Sequence, residues 1–174
     1  MSIVIKGGIV INVFSGEISQ KDIMIEKEMI VGIGDYKDSD SFVDISGKYV
    51  IPGLIDGHIH IESSMLVPAE FAKAVLPHGT TTVIADPHEI VNVAGKDGFI
   101  YMKEASENLP VDFFYNVPSC VPATEMETSG GKLNSKEMEE LLKKYPDIPG
   151  VGEMMNYPGV LSEDKEVLEK ISLG

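Results

Sequence analysis

The sequence predicts an α/β protein: the first half of a (β/α)8, TIM-type barrel, preceded by a small β-sandwich-like module. Three observations predict it. Up to residue 50 the chain is a series of short β-rich runs separated by tight turns. From residue 51 strands alternate with helices four times, the pattern of a parallel sheet with helical crossovers. Each of those four strands also ends in a polar cluster, and in a barrel the functional groups sit at the C-terminal ends of the strands. A complete barrel takes about 250 residues, whereas residues 51–174 number 124, so half of one is expected. The expected domains are therefore 1–50 and 51–174.

In the first domain the β-rich runs are residues 3–5, 8–13, 21–26 and 29–33, with 42–45 and 48–51 continuing the pattern. Gly7-Gly8, Ser15-Gly16-Glu17, Glu26-Lys27-Glu28 and residues 32–35 separate them. The expectation is a mostly antiparallel module with no residue arranged for chemistry. In the second domain a strand runs through His60. Pro68 opens a helix to Leu76, which Pro77 and Gly79 close. Residues 80–86 are a β-branched strand, and a helix over 95–108 carries Phe99, Met102 and Ala105 as a core stripe. A third strand at 111–117 leads into a long loop. Asn134 and Glu137 then form a capping box for a helix ending near Tyr145. A short fourth strand covers 149–155, and Ser162 caps a last helix with Glu163 and Asp164 in its first turn.

Bulk properties exclude several partners. With 14 Lys+Arg against 28 Asp+Glu the formal charge is −14, which repels phosphate backbones, so no nucleic acid is expected. No apolar run approaches the ~20 residues of a membrane helix, so no membrane is expected either. The N-terminus lacks the features of a secretory signal, and a cytoplasmic location is the expectation. The single cysteine, Cys120, rules out an internal disulfide and suits a reducing compartment.

The chemistry starts at residues 51–62. Side chains alternate along a strand, so His58 and His60 share a face with Asp56 while Ile59 and Ile61 point the other way. Two adjacent imidazoles are a ready pair of ligands for a divalent metal. Glu153 follows a glycine-rich strand and precedes Met154-Met155; it either bridges metal ions or sits in a salt bridge. Asp86 is a further metal ligand or a turn former before Pro87. His88 is a proton shuttle, a substrate contact or a surface-loop histidine. Glu62, Ser63, Ser119 and Asn156, at strand ends, are candidate substrate contacts. Cys120 reads as a small buried apolar residue and His78, beside Pro77 and Gly79, as structural.

At these residues the chain resembles a known family. The run Pro52-Gly53-Leu54-Ile55-Asp56-Gly57-His58-Ile59-His60 is similar to the opening motif of the amidohydrolase superfamily. The stretches 60–66, 76–90, 118–124 and 152–156 more narrowly resemble the bacterial and archaeal adenine deaminase family. The resemblance implies hydrolysis of adenine, a purine base, to hypoxanthine and ammonia through a metal-activated hydroxide. It implies one or two divalent ions, Mn2+ or Fe2+. His58 and His60 would ligate one ion, Glu153 would stand where relatives carry a bridging carboxylated lysine, and Asp86 would complete the ligand set of the second ion. Glu153, His88 and Asp86 would be the catalytic groups, and the full-length protein a homo-oligomer.

One departure qualifies the expectation. No histidine follows His88, whereas the family takes further histidine ligands and a catalytic aspartate from later strands. The 174-residue chain alone is therefore expected to be inert. Two other readings remain open: another cyclic amide or amidine hydrolase, dihydroorotase-like or imidazolone-hydrolysing, and a non-catalytic fragment that self-associates.

Overall fold

The computed structural model describes residues 1–174, which divide into two compact units, Met1–Pro52 and Gly53–Gly174. The first unit is a single five-stranded sheet. It contains β1 (Ser2–Ile11), β2 (Ile18–Glu26), β3 (Met29–Gly34), β4 (Ser41–Asp44) and β5 (Tyr49–Val50). The order is β3-β2-β1-β4, with β5 also beside β1. β2 runs antiparallel to both its neighbours, while β4 and β5 run parallel to β1. The expected second layer of a sandwich is not formed by these residues. The connection after β3 instead carries the chain to the far side of β1, where both later strands join the same sheet.

Gly7-Gly8 does not separate two strands, as expected, but makes a bulge inside β1, where the register shifts between Ile5 and Gly8. Gly7 has φ +72°, a conformation that suits glycine, and donates its N–H to Asp22 Oδ1 at 2.9 Å. The other Asp22 oxygen accepts from Lys6 Nζ at 2.8 Å and from the Tyr36 N–H at 3.1 Å. One buried carboxylate thus ties the bulge to β2 and to the residues after β3.

The second unit is built on three parallel strands in sequence order: β6 (Leu54–Ile59), β7 (Thr80–Ala85) and β8 (Asp112–Tyr115). Their crossovers are α1 (Pro68–Val75) and the pair α2 (His88–Ala94) and α3 (Lys96–Ala105). α4 (Ser135–Lys144), α5 (Tyr157–Leu161) and α6 (Lys165–Ile171) follow. Ile61, Phe71, Val83, Phe99, Tyr115, Leu133, Met138 and Leu141 belong to one buried core, so the Phe99/Met102 stripe faces inward as expected.

Several boundaries differ from the sequence reading. His88 opens a helix rather than sitting in a loop, and Gly95 at φ +60° separates α2 from α3. The fourth strand contracts to a single bridge between Val117 and Val151, held by Val117 N–H to Gly150 O at 3.1 Å and Gly152 N–H to Val117 O at 2.7 Å. α6 is capped by Asp164, whose Oδ1 accepts the Val167 N–H at 3.1 Å, and not by Ser162. Glu163 at φ +56° breaks the helical path between them. The capping box on α4 is present in full, with Glu137 N–H to Asn134 Oδ1 at 2.9 Å and Asn134 N–H to Glu137 Oε2 at 3.1 Å.

The feature that positions the site is the strand register. Ile59, Ala85 and Tyr115 lie side by side at the C-terminal ends of β6, β7 and β8. His60, Asp86 and Asn116, which come next, therefore emerge at one end of the sheet.

Asp22 generates a stability prediction. Its carboxyl is held at about 2, below its ordinary 3.8, by the Lys6 ammonium and then by the Gly7 and Tyr36 amides. A depressed carboxyl stabilises the fold above its unfolded value and loses that contribution as pH falls through the folded one. Asp22→Ala should cost about 1–3 kcal/mol at neutral pH by stranding these donors. The gap from wild type should close as pH drops from 3.8 towards about 2. Denaturant melts of both proteins across that range check it.

Candidate metal centre

The alternation of β6 brings the two histidines together, with ring centroids 4.9 Å apart and edges facing. Glu153, arriving from the Val117–Val151 bridge, meets both. His58 Nε2 lies 3.8 Å from one Glu153 oxygen and His60 Nε2 lies 3.6 Å from the other. His60 Nδ1 is 2.8 Å from the Asp86 carbonyl oxygen. A carbonyl can only accept, so Nδ1 carries the proton and Nε2 presents its lone pair towards Glu153. Burial pulls the His60 pKa down; the Asp86 carbonyl and the carboxylates of Glu89, Asp86 and Glu153 outweigh it, and the net shift is upward.

Asp86 is 1% exposed. Its Oδ2 accepts the Glu153 N–H at 3.1 Å, and its Oδ1 has no hydrogen-bond partner. Burial raises its pKa, against the lowering pull of His88, the Glu153 amide and His60. Gly152 makes the approach possible, since a Cβ there would fall 2.1 Å from Asp86 Oδ2. His88, the first residue of α2, stacks edge-on against His60 at 4.5 Å and places Nδ1 3.5 Å from Asp86 Oδ1.

Glu89 belongs to the polar cluster that the sequence places after the second strand, where it carries no individual role; the structure brings it into the site. Its Oε2 lies 3.6 Å from His60 Nδ1 and 3.9 Å from His88 Nε2, and its Oε1 accepts the Ser63 hydroxyl at 3.1 Å. Its only sequence signal was its place in that cluster, beside His88. The expected substrate contacts spend polar atoms on the protein itself. Glu62 Oε1 accepts the Ile90 N–H at 3.2 Å, and burial raises the Glu62 pKa. Ser119 is buried and donates to the Glu153 carbonyl at 2.6 Å. Asn156 caps α5 by accepting the Gly159 N–H at 3.0 Å.

Three trios of ligand atoms result, each within 4.8 Å: His58, His60 and Glu153; Asp86, His88 and Glu153; and His60, His88 and Glu89. Glu153 belongs to the first two, so its carboxylate can span them. The third approaches His60 where Glu89 faces Nδ1, the nitrogen already committed to the Asp86 carbonyl.

A model of the amidohydrolase family matches residues 49–173. This chain belongs to the amidohydrolase family. It is 53% identical over 172 residues to the adenine deaminase of Clostridium acetobutylicum, covering 99% of this chain and 30% of that protein. It is 50% identical over 173 residues to the adenine deaminase of Thermosipho africanus, covering 98% and 30%. The chain thus spans 30% of the length of these curated relatives. Among solved structures, L-hydantoinase from Arthrobacter aurescens superimposes with TM-score 0.63 at 19% identity, over 86% of this chain and 32% of that one. Atrazine chlorohydrolase TrzN from the same species, complexed with zinc, gives TM-score 0.64 at 18% identity, over 86% and 46%. At such identities the two structures speak for the fold alone.

A divalent ion fits the residues this amidohydrolase presents. Four buried polar atoms lack any partner, namely Glu62 Oε2, Asp86 Oδ1, His88 Nδ1 and Glu89 Oε2, and all lie in this one cluster. No lysine or arginine forms a salt bridge with Glu62, Asp86, Glu89 or Glu153. Uncompensated carboxylates beside imidazoles form a donor set suited to a divalent transition metal.

Two substitutions probe this arrangement from different sides. His58→Ala removes a ligand outright. Gly152→Ala leaves every ligand in the sequence but drives a methyl into Asp86 Oδ2. Each should weaken Mn2+ binding by about tenfold or more, read from the free Mn2+ resonance during titration, with the far-ultraviolet circular dichroism of wild type. Undiminished affinity in both would remove the cluster from consideration as a metal site.

Proposed function

We propose that the chain is the N-terminal portion of an adenine deaminase, which hydrolyses adenine to hypoxanthine and ammonia at a divalent centre. The observation that carries this reading is the cluster of His58, His60, Asp86 and Glu153, gathered at one end of the sheet in a chain about half identical to two adenine deaminases. β6, β7, β8 and the stretch around Val151 would be the first four strands of a (β/α)8 barrel, consistent with the amidohydrolase folds that superimpose on it. The acidic surface suits a small base rather than a nucleic acid.

His58, His60, Asp86 and Glu153 would hold one or two ions, Mn2+ or Fe2+. When bound, such an ion lowers the pKa of water and polarises the substrate. The protein supplies the rest. The Asp86 carbonyl fixes the His60 ring with Nε2 facing Glu153. Glu153 is suited to take one proton from water and pass it to the ring nitrogen, and then to move the second to the departing amine. His88, whose Nδ1 has no hydrogen-bond partner, gives a second proton a place to reside. The exchange balances: a C–O bond forms at the ring carbon as its C–N bond breaks, one water hydrogen joins the two already on the amine and leaves as ammonia, and the other stays on the ring nitrogen of hypoxanthine.

The test is a substrate panel on Mn2+-loaded protein extended to the length of its relatives. Adenine should be turned over with stoichiometric ammonia release, while hydantoin, dihydroorotate and imidazolonepropionate remain unchanged. Turnover of a cyclic amide in place of adenine would overturn the substrate assignment. The 174-residue chain by itself should show no adenine turnover, because no histidine beyond His88 completes the ligand set.

A further inference from the structure

Glu153 has an unusual mooring for a residue that must present a carboxylate accurately. The last backbone bond tying its segment to the neighbouring strand is Gly152 N–H to Val117 O, at 2.7 Å. Beyond it there is no ladder, and α5 does not begin until Tyr157. Side chains take over. Asp86 Oδ2 accepts the Glu153 N–H, and the Ser119 hydroxyl donates to the Glu153 carbonyl at 2.6 Å. Two residues on, the Met155 N–H donates to Cys120 Sγ at 2.9 Å. Cys120 Sγ also lies 3.2 Å from both Ser119 Oγ and Met154 Sδ, so the two residues act as one unit.

Exposure sharpens the point. Ser119 and Cys120 are 2% and 3% exposed, while the Glu153 side chain is 43% exposed. The carboxylate therefore gains little fixation from packing around itself. Its placement is inherited from the backbone at 153–155, and that backbone is held from the loop after β8. A metal-binding constellation tolerates displacements of only about 0.5 Å. Without these bonds the segment would have Asp86 as its sole side-chain anchor.

We infer that Ser119 and Cys120 are positioning residues, a buried hydroxyl–thiol clamp that sets the Glu153 carboxylate for a divalent cation. This rests on the metal reading of the cluster above. It gives Ser119 a role other than substrate contact, and it makes the single cysteine a hydrogen-bond acceptor for the Met155 amide rather than a mere space-filler. Ser119 Oγ and Cys120 Sγ are both committed to residues 153–155 and touch no ligand themselves.

The experiment is Mn2+ titration of the 174-residue chain, with free Mn2+ read by electron paramagnetic resonance and folding by thermal melts. Ser119→Ala and Cys120→Val, which remove the donor and the acceptor, should each weaken Mn2+ binding by about tenfold. Cys120→Ser keeps an acceptor for the Met155 amide and should restore affinity to near wild type. Met138→Ala, a cavity in the same core on α4, should lower the melting temperature with affinity unchanged. Should Cys120→Val not fold, Cys120→Ala takes its place with the same expectation. Folded Ser119→Ala and Cys120→Val proteins that bind Mn2+ like wild type overturn the clamp. An equal loss of affinity in Met138→Ala also overturns it, because the effect would then be general destabilisation. Wild-type chain that binds no Mn2+ is a different result: it sinks the metal reading itself, and the clamp with it.

Discussion

Asp86 sits at the end of the middle strand, almost wholly buried, with one carboxylate oxygen on the Glu153 amide and the other on no protein group. Its main-chain carbonyl orients His60 at the same time. The two halves of the residue therefore connect β6, β7 and the segment carrying Glu153, and the rest of the cluster depends on that connection. A buried carboxylate with an oxygen that accepts no hydrogen bond is costly unless something positive completes it. Burial raises the Asp86 pKa, which is the same cost expressed as a reluctance to ionise. A divalent cation held by Asp86, Glu153 and His88 would resolve it.

The parallel sheet makes this convergence geometrically cheap. Strands paired in register end together, so Ile59, Ala85 and Tyr115 act as a common stop line and whatever follows them shares one edge of space. Beneath that line lies the apolar core with Val83, Phe99 and Tyr115. The core fixes the strands by burying area, and the strand ends are then free to carry groups that contribute nothing to packing. Glycine enters where two such ends must nearly touch, as Gly152 does against Asp86.

How much of this was legible in the sequence varies residue by residue, for physical reasons. The pairing of His58 with His60 follows from strand alternation, a local rule, and the α4 capping box from a spacing of three residues. Glu89 was legible only as a member of the cluster after the second strand, because its nearness to His60 is a consequence of α2 starting at His88, and a histidine after Pro87 carries no strong helix signal. The fourth strand was overread: its apolar pattern is genuine, but Gly150 and Gly152 flank a single bridge where a ladder was expected. In the first unit Gly7-Gly8 looked like a break. A carboxylate fifteen residues away converts it into a bulge, a long-range interaction that no local pattern contains. The single-sheet arrangement escaped for the same reason, since which edge a returning strand joins is not written in its own residues.

The contrast between the two carboxylates at the strand ends gives the last step. Asp86 is placed by a strand and locked by burial; Glu153 is placed by a bridge of one residue pair and by side chains that reach over from β7 and the loop after β8. Cation binding at this cluster would therefore be coupled to the order of residues 152–155. A ligand that binds only the ordered arrangement stabilises it by mass action, and the resulting change in population is greatest for the element least ordered by itself. His58 lies on β6 and His60 directly follows it, held by its bond to the Asp86 carbonyl, so both histidines are placed by the sheet. Glu153 is thus the member of the site whose geometry responds most to what surrounds it, and the hydroxyl and thiol behind it limit that response.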